Sequence, residues 1–174
     1  MTKKQRKILY PTIFISGLFL MVWEVIIFRN TIIDLSILIG IILIVGITAF
    51  ILDFKNYGKT YEYSGIGLYF YSSMHYIFGY GFIVCSIFML TNFYLAEKEP
   101  VKKSFEIVER SSLPGGKHHR EERQPTFKIN YDGKIKELVF QHKFYEKREF
   151  YKNVELEVRK GYFGFDILEN KKLN

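Results

Sequence analysis

The side chains of this 174-residue chain that could do chemistry are few: four histidines, one cysteine and scattered acids. The densest donor set is His118-His119-Arg120-Glu121-Glu122. Imidazole and carboxylate bind zinc-like ions, but a site needs donors converging from a fixed frame with supporting hydrogen bonds behind them. These five are neighbours in Ser111–Pro125, a stretch whose Gly, Pro and charge content reads as a solvated loop. No metal and no cofactor is expected. His142 stands alone, without the Ser, Cys or acid arrangement that would activate a nucleophile. Neither phosphate-cradling glycine motif occurs; Ser64-Gly65-Ile66-Gly67 matches only the start of one. With no catalytic constellation, the chain is not expected to be an enzyme.

Two ionisable residues remain, Glu24 and His75, each inside a long apolar run. Ionisable groups at membrane depth are costly and are often functional, which makes these two the candidate site residues. Glu24 is about four residues from the end of its run and beside Trp23, so it is expected to reach the interface. His75 lies in an aromatic stretch near the opposite side. Cys85, the lone cysteine, excludes an intramolecular disulfide and reads as a small packing residue against a neighbouring helix.

The elements that must position these residues follow from where charge is missing. Of 25 basic and 18 acidic residues, Lys98–Asn174 holds 18 and 13, so residues 1–97 carry only 7 and 5 and contain three nearly uncharged stretches. That excludes a simple cytosolic globule. The basic residues of the second half are interleaved with acids, which reads as a solvated surface, and no nucleic-acid partner is expected. Residues 8–28, 35–52 and 66–96 each read as a helix able to cross a ~30 Å hydrocarbon layer at ~1.5 Å per residue. Pro11 is expected in the first turn of the first helix. Asp53–Tyr63 is expected as an inner loop. Residues 66–80 mix Tyr, Ser and His with apolar groups; a tilted span and an interfacial segment both fit. Small residues at Ser36, Gly40, Gly46 and Ala49 favour close helix packing within the chain over a dimer interface. The four basic residues Lys3, Lys4, Arg6 and Lys7 keep the N-terminus in the cytoplasm, and three crossings place the C-terminal part in the periplasm or outside the cell.

Residues 98–174 read as a small, mainly antiparallel β domain. Lys103–Val108 begins a strand, and Thr126–Phe140 is a hairpin around Asp132-Gly133, the dipeptide favoured by a type I′ turn. Its register follows: Tyr131 faces Lys134, Ile129 faces Lys136, Phe127 faces Leu138, and Lys128 faces Glu137 on the other side. Gln141–Asn153 has no period of two and suits a short helix or turn. Val154–Arg159 alternates cleanly, and Phe165, Ile167 and Leu168 make a last strand before a polar end from Glu169 to Asn174.

The sequence thus describes an α-helical membrane protein with three transmembrane helices in residues 1–97, followed by a small soluble β domain in residues 98–174. It is expected in the cytoplasmic membrane, with the lipid bilayer and a protein partner or second copy as its contacts. The leading expectation is an anchored β-rich interaction module, an accessory or immunity-type subunit of an envelope complex whose edge strands accept a partner. The alternative is a transport or lipid-handling protein with its site among the helices near Tyr69, Tyr71, His75 and Tyr76. No particular small-molecule substrate is indicated.

Overall fold

The computed structural model of the protein describes residues 1–115 and 122–174. Of the candidate donor set, His118, His119 and Glu121 lie outside the described residues. The chain divides into two compact units, Met1–Phe28 with Ile33–Leu95 and Arg29–Ile32 with Ala96–Asn174.

The first unit is helical: α1 (Lys3–Arg29), α2 (Leu35–Tyr61) and a third rod made of α3 (Gly65–His75), a π-helical segment (Tyr76–Gly81) and α4 (Phe82–Tyr94). All three rods are long and apolar enough to cross a membrane, with mean hydropathy of 2.0, 3.0 and 1.6 over their most apolar stretches. α1 starts earlier than the apolar run, because Lys3, Lys4, Gln5, Arg6 and Lys7 are good helix formers that need no burial. Pro11 is therefore inside the helix and not in its first turn, and the carbonyl of Lys7 loses its usual partner.

The expected inner loop at Asp53–Tyr63 is corrected: α2 continues to Tyr61 and ends on Glu62 in a left-handed conformation, whose N–H bonds the carbonyl of Gly58. The helix passes the charge at Asp53 because that carboxylate finds hydrogen-bond donors. Its Oδ2 accepts from the hydroxyls of Tyr10 (2.7 Å) and Tyr76 (3.0 Å), and Oδ1 from Asn56 (2.7 Å). The third rod is continuous. Its π-helical turn is held between the other two helices at positions with no room for a side chain. A Cβ on Gly17 of α1 would strike the carbonyl oxygens of Phe78 and Gly79, the latter at 2.7 Å, and one on Gly81 would come 2.7 Å from the carbonyl oxygen of Ile42 in α2. Gly46 packs equally tightly, on Ile77, while Gly40 faces open space. The small-residue pattern thus serves packing within the chain at Gly46 and not at Gly40.

The second unit is a five-stranded antiparallel sheet, β1 (Val101–Leu113), β2 (Gln124–Tyr131), β3 (Lys134–Val139), β4 (Asn153–Arg159) and β5 (Ile167–Leu173), in the order β3-β2-β1-β4-β5. The hairpin has the register read from the sequence: Tyr131–Lys134, Ile129–Lys136, Phe127–Leu138 and Lys128–Glu137 are paired. Asp132 and Gly133 both take positive φ, as a type I′ turn requires. β1 is longer than expected because it serves two neighbours. Val101–Glu106 pairs with β4, Ile107–Leu113 with β2, and the ladder with β2 is irregular between Ile107 and Glu109. The expected 111–125 loop accordingly gives Ser111–Leu113 to β1 and Gln124–Pro125 to β2.

The polar end is also a strand. Arg159 clamps Glu169 through two bonds of 2.9 and 2.7 Å, offsetting the like-charged Glu157 directly opposite it, and Lys172 sits opposite Glu155. A short 3₁₀ turn at His142–Phe144 replaces any longer helix in 141–153. Ile107, Phe127, Ile129, Leu138, Val154, Leu156 and Leu168 form the core of one face.

Residues Arg29–Ile32, which join α1 to α2 in the chain, belong to this sheet. Thr31 bridges Ile167, Ile32 N–H bonds the carbonyl of Asp166 (2.8 Å), and Leu168 N–H bonds that of Asn30 (2.7 Å). Lys136 of β3 donates to the Thr31 carbonyl at 2.7 Å, and Tyr131 of β2 to Asp166 at 2.7 Å. The sheet is therefore curled, with its two edge strands drawn toward one short connecting segment.

Candidate functional site

The helical unit buries one ionisable candidate near each end. At one end Glu24, on α1, is 3% exposed and accepts hydrogen bonds from Cys85 Sγ (3.1 Å) and Ser86 Oγ (2.9 Å) of α4. The expectation that Glu24 reaches the interface is corrected. Its side chain turns inward because two donors on the facing helix satisfy both of its oxygens, which outweighs the short path to water. Cys85, expected as a packing residue, is fully buried and is also a donor to this carboxylate.

At the other end His75, the last residue of α3, is 4% exposed and set in aromatic rings. Its ring centroid is 5.1 Å from Tyr10 (α1), 5.2 Å from Tyr57 (α2) and 5.0 Å from Tyr76. Tyr80 and Phe14 follow at 5.8 and 6.3 Å. His75 Nε2 is buried and has no hydrogen-bond partner. A cavity of about 230 Å3 opens beside it, walled by Tyr10, Phe14, Tyr57, Tyr61 and Tyr71, with Pro11 and Met74 completing the lining. Polar atoms orphaned in an interior are uncommon because each costs about 1–3 kcal/mol, so a residue that carries one and also lines a cavity is a candidate site residue.

The aromatic walls are held from behind. Asp53 accepts hydrogen bonds from the hydroxyls of both Tyr10 and Tyr76, tying α1, α2 and the π-helical segment together behind the cavity wall. Above the cavity, Tyr61, Tyr63 and Tyr71 form a stacked series with centroid distances of 5.8 and 5.1 Å. Lys3, the first residue of α1, and Glu62, just past the end of α2, pair at 2.5 Å. The hydrogen bond from Lys3, with Lys7 adding its charge, holds the Glu62 carboxyl below the usual range. A layer of tyrosines next to charged groups is the composition of a membrane–water boundary.

The two candidates named from sequence are not brought together. Tyr10, which touches His75, and Glu24 are fourteen residues apart on one helix, about 21 Å at ~1.5 Å per residue. A relay using both has no short path. Of the tyrosines singled out with His75, Tyr71 is on the cavity wall, Tyr76 is behind it on Asp53, and Tyr69 stacks on Phe54. Sequence reasoning missed Tyr10, Asp53, Tyr57 and Tyr61. A signal existed: Asp53, Tyr57 and Tyr61 fall at i, i+4 and i+8, one face of a helix, once the helix is allowed to pass the aspartate.

Among the described residues, no group of three or more His, Cys, Asp or Glu side chains is placed to hold a metal ion. Comparison of the chain with protein-family models, curated proteins and solved structures gives no match.

Proposed function

We propose that this chain is an integral protein of the cytoplasmic membrane whose helical unit binds a ligand at the membrane–water boundary, in the aromatic pocket beside His75. The observation that carries this reading is a 230 Å3 cavity walled by aromatic rings and lined by the buried His75, whose Nε2 has no hydrogen-bond partner. Membrane insertion is supported by the three long apolar rods and by what they expose. Phe19, Val22 and Ile26 on α1, Ile44, Ile47 and Ile51 on α2 and Ile87 on α4 are more than half exposed, a surface far too apolar to face water. The basic N-terminal tail favours a cytoplasmic pocket end, with the sheet unit emerging on the outer face after three crossings.

A second reading, a membrane-anchored interaction module, is favoured by one feature of the sheet. β3 stands at one end of the strand order, beside β2, and its Ile135 is 59% exposed. An accessory or immunity-type role in an envelope complex would use that edge. The two readings are compatible, since they use different units.

One preparation tests the lead reading. The full chain purified in mild detergent should retain a membrane-derived ligand through washing, and His75→Phe should lose it while expressing normally. Equal retention by both proteins would remove the pocket from the function. Reporter fusions after Glu62, after Lys98 and at Asn174 check the sidedness: the first is expected inside the cell and the other two outside.

A further inference from the structure

We infer that the turn between β4 and β5 is a membrane-surface anchor, its Tyr162 and Phe163 rings seated in the lipid headgroup layer, an assignment that rests on the membrane insertion proposed above. The residue types point there first. The N–H of Gly164 bonds the carbonyl of Gly161 at 2.8 Å, which puts Tyr162 and Phe163 at the two central positions of a four-residue turn, and Gly164 follows with a φ of 86°. Small or polar residues and proline serve such central positions best, because they supply the backbone geometry and keep the tip in water. Two large rings do neither. They are 61% and 45% exposed, stand edge to face with centroids 5.1 Å apart, and are not part of the core inside the sheet. Aromatic rings gain most at a membrane–water boundary, where the ring leaves water and a Tyr hydroxyl stays wet.

The turn is also fastened where the rods end. Glu97 N–H bonds the carbonyl of Lys160 at 2.9 Å, and Arg159 Nη1 donates to the carbonyl of Glu97 at 3.3 Å. Glu97 is three residues past Tyr94, the last of α4, and three residues span at most about 11 Å of extended chain. On its other side the turn leads into Asp166 and Leu168, whose carbonyl and N–H pair with Ile32 and Asn30, and Asn30 directly follows Arg29, the last residue of α1. The chain that leaves α1 and the chain that leaves α4 are thus both bonded to the strand ends that carry the two rings. Charge does not oppose the placement. Lys160 and Asp166 pair at the base of the turn at 3.2 Å, Arg159 pairs with Glu169, and the rod ends carry mixed charge, Arg29 and Lys98 against Asp34, Glu97 and Glu99. The long stem of Lys160, 56% exposed, lets its ammonium stay at headgroup level. Phe150 makes the contrast within the same unit. It is 79% exposed, but it precedes β4 by three residues, at the end remote from the turn of a strand about 23 Å long at ~3.3 Å per residue.

The test uses the full chain in phosphatidylcholine nanodiscs, where both membrane faces are open to solution. Trp23 is the chain's one tryptophan, so the wild type reports on α1, and Tyr162→Trp and Phe150→Trp, each made together with Trp23→Phe, carry a single reporter apiece. Fluorescence quenching by a lipid with a nitroxide on its headgroup reads contact with the membrane surface; quenching by iodide reads contact with water. The nitroxide lipid should quench Tyr162→Trp at least about fivefold more strongly than Phe150→Trp, and iodide should reverse that order. In the unsubstituted protein the same lipid should broaden the amide NMR signals of residues 161–164 more than those of 149–152, which checks the result without a substitution. Equal nitroxide quenching at the two positions, or strong iodide quenching at 162, overturns the anchor. Protection of position 162 from both quenchers overturns it too, since the turn would then lie against protein. Trp23 separates this failure from a failure of the membrane reading. If the nitroxide lipid quenches Trp23 while iodide reaches position 162, the rods stay in the bilayer and the anchor falls alone; if iodide reaches Trp23 and the lipid does not, both fall.

Discussion

The two ends of the helical unit bury one ionisable side chain each, and they treat it in opposite ways. Glu24 is enclosed by Cys85 and Ser86, with an oxygen for each donor. His75 is as deeply buried, yet its Nε2 has no hydrogen-bond partner and the residue lines a cavity. Burial alone therefore does not mark a site. A satisfied buried group works for the fold, pinning α1 to α4, whereas an unsatisfied one on a residue that lines open space marks a candidate site.

The largest expected effect breaks both ends together. Gly17 is midway on α1 between Tyr10 and Glu24, where a Cβ would collide with backbone oxygens of the π-helical segment. Gly17→Ala should cost about 3 kcal/mol, read as thermal unfolding of the full chain in detergent. Gly40→Ala, which meets nothing within 4 Å, should be nearly neutral. Equal melting of the two variants would mean that the π-helical clamp carries no energy.

Next comes the satisfied end. Glu24→Leu strands the Cys85 and Ser86 donors and should cost about 1–2 kcal/mol without changing ligand retention. Adding Ser86→Ala should return part of that loss, because removing both partners is milder than removing one. The unsatisfied end should respond with the other sign. In ligand-free protein, His75→Phe removes an orphaned acceptor and should raise stability by about 1 kcal/mol while abolishing ligand retention. A destabilised His75→Phe would show that the histidine is structural and that the contrast between the two ends is false.

How much of this was legible depends on how local each interaction is. The 126–139 hairpin could be read to the exact pair, because its turn residues and its alternation sit within fifteen positions of one another. The end of α2 could not, because the partners that carry Asp53 inside the helix, Tyr10 and Tyr76, are 43 and 23 residues away. The same holds for Arg29–Ile32, four unremarkable residues whose strand partners are more than 130 positions further along. At the site, His75 and Tyr71 stood out as polar groups in an apolar run. The remaining walls, Tyr10, Phe14, Tyr57 and Tyr61, come from two other helices, and only packing could assemble them. Glu24 was legible as an unusual residue, but its donors on α4 were not, so its depth was misjudged.

The smallest effect extends the contrast to the sheet, where the register that pairs Ile129 with Lys136 obliges a lysine to share the core-facing side with Ile129 and Leu138. Lys136 donates to the Thr31 carbonyl, while burial and the charge of Lys171 pull its ammonium down to about 8. In the unfolded chain it titrates near the ordinary lysine value of about 10.4. Below pH 8 both states hold the proton, and the folded state bears the full cost of the buried charge. Between about pH 8 and 10 the folded state releases its proton first, the unfolded state binds more protons, and stability must rise with pH. Partial exposure to solvent cuts the gain to below about 1 kcal/mol. Lys136→Met should therefore exceed the wild type in stability most clearly at pH 7, with the gap closing toward pH 10 in thermal unfolding of the full chain. A gap that stays constant across that range would mean the lysine keeps its charge, with the Thr31 carbonyl satisfying it as completely as Cys85 and Ser86 satisfy Glu24.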